Sequence, residues 1–252
     1  NKKENTLILS SKDIEEYSKE FLQDYSNTNN NYSILIPQHT PIEEIIEFYC
    51  DIPLEFQTFE NQAVLGMTCF SSGLIKIRRD SKIVPYKVEK GTIIIANDLA
   101  ENEELRGSYF YTIAHEFGHS LFHRVLFEEA DYIGQPSLFE DEIKSVNAIT
   151  CHRDEVENFN FFAREKNWTE WQADYFASCL LMPKESIYEF WKDYISEPEF
   201  ILGENPKSLL NGMNPLKKGI LFAKFVDTYK VSRQAARIRL EKLNFLDKED
   251  VL

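Results

Sequence analysis

Three of the chain's five histidines fall within nine residues, as His115, His119 and His123. The sequence His115-Glu-Phe-Gly-His119 places two imidazoles at i and i+4, on one face of a helix, and this spacing suits a single tetrahedral zinc ion. Glu116 directly follows the first histidine, so its carboxylate would lie beside the ion and could take a proton from a nearby water molecule. The pattern therefore predicts a hydrolytic zinc site with Glu116 as the catalytic base.

The segment around these histidines has the pattern of a helix. Residues 108–124 contain apolar side chains at helical spacing and no proline. Gly118 costs such a helix about 1 kcal/mol relative to alanine, which favours a position where another element or a substrate approaches closely. The alternative is a core helix whose histidines are only hydrogen-bonded, although Glu116 would then lie on a mostly apolar helix without a role.

Zinc needs a third protein ligand, with the fourth position left for water. His123 follows His115 by eight residues, which is roughly 12 Å along a helix that rises about 1.5 Å per residue. That separation is too large for the two to share one ion, and Val125 occupies the position where some zinc sites carry a third histidine. We therefore expect His123 either to contact a ligand residue without binding the ion itself or to pack against its neighbours.

A second helix offers a better third ligand. Residues 168–182 precede Pro183, which disfavours a further helical residue before it, and they carry Glu170 and Asp174 at i and i+4. Two carboxylates on a largely apolar helix are costly unless they are paired or bind a metal. Glu170 would then bind zinc, and Asp174 would accept a hydrogen bond from the outer nitrogen of a ligand histidine. The alternative is an exposed acidic edge without a role.

Composition limits the class of protein. A chain of 252 residues with 43% hydrophobic residues, 19 Phe and 12 Tyr is typical of a folded globular protein. Its net charge of −14 argues against a surface built broadly for nucleic acid or anionic membrane. No apolar stretch approaches the roughly 20 residues that span a bilayer, and the four cysteines show no paired spacing, so we expect a cytoplasmic protein. The adjacent Cys151 and His152 leave a second metal or redox-sensing role open beside a structural one.

The remaining sequence predicts an α+β fold in which a small antiparallel or mixed sheet precedes the histidine helix. Helices are expected at residues 11–25, 41–49 and 184–195, and strands at 62–69, 73–79, 83–88 and 92–96. Ser71-Ser-Gly73 would join the first two strands as a hairpin. Residues 125–167 form a long, acidic, loop-rich insertion between the two zinc-binding helices, and we expect it to shape or cover a substrate cleft.

The C-terminal segment has its own character. After a linker at 196–216, residues 220–245 predict two short helices about a turn at 229–231, which resembles a helix-turn-helix unit. Eight Lys or Arg lie between residues 217 and 243. One interpretation is DNA contact through Arg233, Gln234 and Arg237, and the other is a packed accessory unit with a solvated basic face.

Together these motifs resemble the ImmA/IrrE family of zinc metallopeptidases. The resemblance rests on residues 112–119 with the trailing His123, on residues 170–183, and on residues 231–240. It implies a thermolysin-like zinc metallopeptidase core of a small sheet plus helices over residues 1–195, with the insertion at about 125–167. A helix-turn-helix-like module over residues 217–252 would follow.

The resemblance also implies roles for single residues. His115, His119 and Glu170 would hold zinc, Glu116 would be the base, and Asp174 would support a ligand. Members of the family are cytoplasmic, often travel with phages or integrating elements, and typically cleave a helix-turn-helix repressor. The first hypothesis is therefore a zinc-dependent endopeptidase whose partner is such a repressor or a similar regulator.

Two other hypotheses stay open. A non-proteolytic regulator or sensor could use the zinc core as a scaffold and the C-terminal module to bind protein or DNA. A latent protease could be blocked by its own insertion until a partner binds. The sequence also leaves the group that stabilises the developing oxyanion open among Tyr111, Tyr132 and His123.

Overall fold

The chain has an α+β fold, with helices and two small sheets. The computed structural model describes residues 8–127, 146–152, 168–192, 194 and 213–246. Numbered in chain order, the described helices are α1 Ser11–Thr28, α2 Ile42–Glu44 with a π-helical turn Ile45–Tyr49, α3 Asn97–Glu101 with a 3₁₀ turn Glu103–Leu105, α4 Arg106–Phe122, α5 Trp168–Leu181, α6 Lys184–Lys192, α7 Pro215–Tyr229 and α8 Arg233–Lys242. The described strands are β1 Leu54–Gln57, β2 Val64–Cys69, β3 Gly73–Arg79, β4 Lys82–Val88, β5 Ile93–Ala96 and β6 Ala148–His152.

The chain groups into two compact units. One comprises Asn1–Ile14 and Ile42–Ala177, and the other comprises Glu15–Pro41 and Ser178–Leu252. The division into domains expected from the sequence, 1–195 and 217–252, stays a prediction. The thermolysin-like core and the helix-turn-helix module also stay predictions. Within the described part of the chain, each helix is too short or too polar to cross a bilayer.

The larger sheet lies in the first unit and has the strand order β1-β5-β2-β6. β1 and β5 are parallel, whereas β2 is antiparallel to both of its neighbours. The inner strand β5 is an uninterrupted apolar run and is buried along its whole length, as expected for a strand that is covered on both faces. The other inner strand, β2, packs against α4, so the sheet forms one wall beside the two histidines.

The prediction that the strands at 62–69 and 73–79 form a hairpin is wrong. β2 and β3 belong to different sheets, and β3 pairs with β4 in a two-stranded sheet. Asp80 and Ser81 connect β3 to β4 with φ of 49° and 62°, and positive φ at both turn residues gives the twist that a two-residue hairpin needs. Ser71-Ser-Gly73 instead links the two sheets.

The segment expected as a loop-rich insertion contributes a strand. β6 pairs antiparallel with β2, with Cys69 opposite Ala148 and Thr68 opposite Ile149. The expectation of a loop-rich segment is therefore wrong for residues 148–152, because Ala-Ile-Thr-Cys-His forms a strand of the larger sheet. Residues 128–145 and 153–167, which include Tyr132, lie outside the described residues.

The helix that carries the histidines is central in the first unit. Every residue of α4 from Tyr109 to His119 is buried, as expected of a helix that is surrounded on all sides. A Cβ atom at Gly118 would lie 3.1 Å from Ala173 Cα of α5, so the predicted close approach at this glycine is confirmed. On α5, the rings of Trp168, Trp171 and Tyr175 stack in sequence with centroid distances of 4.6 and 5.5 Å.

In the second unit, α7 and α8 form the expected helix pair. Lys230 adopts the left-handed conformation that ends α7 (φ 53°), and the Ser232 hydroxyl caps α8 by accepting a hydrogen bond from Ala235 N at 3.1 Å. α7 begins at Pro215, inside the segment expected as a linker. Arg239 of α8 is 1% exposed and donates to the carboxylate of Glu15 and to the Met182 carbonyl.

Candidate metal centre and active site

Two imidazoles of α4 face each other across one helical turn. His115 and His119 are buried, with their side chains 4% and 0% exposed, and their Nε2 atoms lie 2.9 Å apart. The i, i+4 spacing puts both rings on the same face of the helix. The two Nε2 atoms are therefore close enough to bind the same metal ion.

Glu170 of α5 completes a triangle of donor atoms. Its Oε2 lies 3.2 Å from His115 Nε2 and 3.3 Å from His119 Nε2, and these three residues form one of the groups in the described chain that could hold a metal ion. Zinc bound at about 2.0–2.2 Å in tetrahedral geometry separates its ligand atoms by about 3.3 Å. The donor set fits zinc, and so do the two distances to Glu170, whereas the two imidazole nitrogens, at 2.9 Å, would have to separate by a few tenths of an ångström.

The charges of the cluster are consistent with that fit. Burial acts to raise the pKa of the Glu170 carboxyl, but its hydrogen bonds to the two histidines outweigh burial and hold that pKa well below its usual range. Burial lowers the pKa of His119. Burial opposes protonation of His115 too, yet contacts with Asp174 and Glu170 raise its pKa above the usual value. A cation between these donors would interact favourably with the negative charge of Glu170.

Asp174 orients the first histidine from behind. Its Oδ1 lies 2.9 Å from His115 Nδ1, which is the contact expected from the sequence. The Tyr111 hydroxyl donates to the backbone carbonyl of Asp174 at 2.9 Å. With Nδ1 engaged in this way, the other ring nitrogen of His115 is directed at Glu170.

His123 lies outside the donor triangle. Its Nδ1 is 2.9 Å from Nδ1 of His119, and its Nε2 is 3.0 Å from Oε1 of Gln172. Burial lowers the pKa of His123 to about 4, so this ring is neutral near pH 7. It thus contacts the outer nitrogen of a candidate ligand, as the helix rise led us to expect.

Glu116 is fully buried between α4 and β2. Its Oε2 accepts a hydrogen bond of 2.6 Å from the Thr68 hydroxyl, and Oε1 has no partner of normal hydrogen-bond geometry among the described residues. Burial raises the pKa of the Glu116 carboxyl to about 7. A carboxylate oxygen of this residue lies within 4.8 Å of a His115 ring nitrogen, so the group that could move a proton is adjacent to the candidate metal ligands.

Sequence reasoning missed three residues around this site. Gly66 of β2 leaves the space that Glu116 fills, because a Cβ atom there would lie 2.7 Å from Glu116 Oε1. Thr68 and Gln172 are the hydrogen-bond partners described above. Each of these three acts across a long sequence separation and has no local signature. Cys151, for which the sequence left a second metal or redox-sensing role open, places its thiol within 4.8 Å of donor atoms of His115 and Glu116. Its sequence neighbour His152 contacts Thr150 at 3.1 Å.

Two of the three candidates for oxyanion stabilisation, Tyr111 and His123, are described, and both have other hydrogen-bond partners. The Tyr111 hydroxyl donates to Asp174, and His123 contacts His119 and Gln172. A cavity of about 490 Å³ in the same unit is lined by Thr68, Ser120 and Arg124, among others, and by none of the donor residues. This cavity therefore borders Thr68, the hydrogen-bond partner of Glu116, but includes none of the three donor residues.

The site is open on the side of α5. The side chains of Glu170 and Asp174 are 18% and 31% exposed, whereas those of the two histidines are almost fully covered. Solvent therefore reaches the carboxylates.

Comparison with known proteins gives a match over the part of the chain that contains Glu170 and Asp174. No curated protein matches the chain. A family model for the IrrE N-terminal-like domain, Peptidase_M78, matches residues 147–241, a range that includes Glu170 and Asp174 and begins after His115 and His119. The match supports a peptidase and agrees with the resemblance inferred from the motifs, because residues 147–241 are similar to the IrrE N-terminal-like domain of the M78 peptidase family.

Proposed function

We propose that the protein is a zinc-dependent endopeptidase. The observation that carries this proposal is the triangle of His115 Nε2, His119 Nε2 and Glu170 Oε2, with edges of 2.9, 3.2 and 3.3 Å, beside a buried Glu116. Two imidazoles and one carboxylate are the donor set of catalytic zinc sites that keep one position open. The peptidase family match supports the same class of reaction.

Different residues would have different roles in hydrolysis. A zinc ion held by the triangle would polarise the scissile carbonyl and make a water molecule more acidic. Glu116 would accept the proton of the attacking water at Oε1, while the Thr68 hydroxyl holds Oε2. With its pKa raised by burial to about 7, the same carboxyl can return the proton to the leaving amine.

The proposed substrate is a helix-turn-helix transcriptional repressor or a similar regulator. What supports this choice is the family resemblance, since its members typically cleave such repressors. A small repressor encoded next to this chain would be the first protein to test as a substrate.

The proposal is tested by separating metal binding from catalysis with Glu116→Gln. We expect this variant to keep the zinc content of the wild-type chain and to lose cleavage, because the carboxamide cannot accept the proton. Cleavage is followed by mass spectrometry of new N-terminal peptides after each protein is added to an extract of the source cells. Peptides generated equally by the wild-type chain and the variant would overturn the assignment of Glu116 as base.

A second candidate is the non-proteolytic regulator that binds DNA through the C-terminal basic residues. Several of those residues have acidic partners: Arg239 with Glu15, Arg237 with Glu241 at 2.8 Å, and Lys230 with Asp227 at 2.7 Å. These ion pairs reduce the charge available to phosphates, so the enzyme is the preferred proposal. Salt-dependent binding to operator DNA that Glu116→Gln leaves unchanged would favour the regulator instead.

A further inference from the structure

Behind His119, three side chains form a continuous line of hydrogen bonds. Gln172 Oε1 lies 3.0 Å from His123 Nε2, and His123 Nδ1 lies 2.9 Å from His119 Nδ1. All three side chains belong to residues that are 0% exposed. The line ends at His119 Nε2, one of the three donor atoms of the candidate metal centre.

Only one arrangement of protons along this line leaves His119 able to bind a cation. A neutral imidazole has one N–H donor and one lone-pair acceptor. If Nε2 of His119 offers its lone pair, Nδ1 carries the hydrogen and donates it to His123 Nδ1. His123 must then carry its own hydrogen on Nε2 and donate it to an acceptor, and the amide oxygen of Gln172 is the atom in that position.

The opposite arrangement would block the site. A donor in place of the Gln172 oxygen would require a lone pair on His123 Nε2 and a hydrogen on His123 Nδ1. His119 would then accept at Nδ1 and hold its hydrogen on Nε2, directed at His115 Nε2 only 2.9 Å away. A metal ion and this hydrogen cannot occupy the same place.

We propose that Gln172 is a positioning residue, whose amide oxygen sets the tautomer of His123 and through it keeps the Nε2 lone pair of His119 free for the metal. This inference rests on the proposed zinc site. It gives the two histidine ligands different supports, because His115 has the Asp174 carboxylate behind it, at 2.9 Å, whereas His119 is backed by an uncharged chain of two side chains. α5 thus supplies a ligand and both terminal acceptors, and α4 together with its C-cap residue His123 supplies all three imidazoles.

The tautomer is measured directly by long-range ¹H–¹⁵N correlation of the histidine side chains in the zinc-loaded, full-length chain. We expect His123 to be protonated at Nε2 and unprotonated at Nδ1, and His119 to be protonated at Nδ1. A hydrogen on His123 Nδ1 in the zinc-loaded protein would overturn the inference without any variant.

The energetic consequence is tested by zinc affinity, measured by competition with a chromogenic chelator. Removing such an outer partner weakens metal binding by about 10- to 100-fold, so we expect that loss for Gln172→Leu, which has no acceptor. Gln172→Glu keeps an acceptor oxygen at the same place and should restore the affinity to within a few-fold of the wild-type chain. A merely structural role would instead give two variants that change stability but not zinc affinity.

The outcomes separate this inference from the proposed function. If the wild-type chain binds zinc and His119→Ala abolishes binding, but Gln172→Leu binds within twofold of the wild-type affinity, the positioning role is wrong and the zinc site stands. If the wild-type chain does not bind zinc, both proposals fall.

Discussion

The space that Gly66 leaves between β2 and α4 determines where the Glu116 carboxylate lies. A Cβ atom at this position would be 2.7 Å from both Glu116 Oε1 and Thr112 Cγ2, and 2.8 Å from Glu116 Cγ. Carbon atoms in contact normally lie about 3.5–4.0 Å apart. Gly66→Ala must therefore displace its neighbours by about 1 Å. Thr112 and Glu116 are both buried on α4, so an added methyl group displaces the Glu116 side chain together with that of Thr112.

The displacement has two measurable consequences of different size. Overpacking a buried contact costs about 1–3 kcal/mol, and we expect the free energy of unfolding in urea to fall by that amount. Misplacing a catalytic group by about 1 Å costs roughly 100-fold in rate, so cleavage of the substrate found with the wild-type chain should fall by about that factor. Zinc content should not change, because neither Gly66 nor Glu116 belongs to the donor triangle.

A matched control is Gly219→Ala in α7, where a Cβ atom would have nothing within 4 Å. Because glycine within a helix is less stable than alanine by about 1 kcal/mol, this variant should be as stable as the wild-type chain or more so, with full cleavage activity. Wild-type activity and stability in Gly66→Ala would refute the reasoning, since Glu116 would then not depend on the close packing of β2.

Three further variants test other contacts. Arg239→Met leaves Glu15 without its buried partner and should lower the free energy of unfolding by about 3 kcal/mol in urea. Phe176→Ala removes a fully buried ring and should lower the free energy of unfolding by about 3–5 kcal/mol in the same assay. Asp174→Asn removes the charge behind His115 and should weaken zinc binding by about 10- to 100-fold, as measured by chelator competition.

Each of these has a contradicting result. Arg239→Met with unchanged stability would mean that its ion pair contributes nothing beyond its cost of burial. Unchanged stability in Phe176→Ala would mean that the region around Phe117 and Phe122, whose rings lie 5.8 and 5.1 Å from that of Phe176, repacks without loss. Unchanged zinc affinity in Asp174→Asn would remove the orienting role of the carboxylate.

The parts of the site that could be predicted from sequence are those set by helix geometry. The i, i+4 spacing of His115 and His119 is a local property, and the structure brings their Nε2 atoms to 2.9 Å. The rise per residue was enough to remove His123 as a third ligand. Glu170 could be chosen because a carboxylate on an apolar helix needs a partner, whichever element supplies it.

The parts that could not be predicted depend on pairing across long stretches of chain. Thr68 meets Glu116 from 48 residues away, and Gln172 meets His123 from 49 residues away. A threonine on a strand, or a glutamine on a helix, carries no local mark of such a contact. The same reason explains the wrong hairpin, because Ser71-Ser-Gly73 has the composition of a turn while the partners of β2 are distant strands.

The central claim is that one zinc ion is held by two imidazoles and one carboxylate. X-ray absorption at the zinc edge of the zinc-loaded, full-length chain tests it most directly. We expect one zinc per chain, with two imidazole nitrogens and the remaining nearest neighbours oxygen, all at about 2.0–2.2 Å. A sulfur neighbour at about 2.3 Å, which Cys151 is near enough to supply, or a shell without imidazole would contradict it.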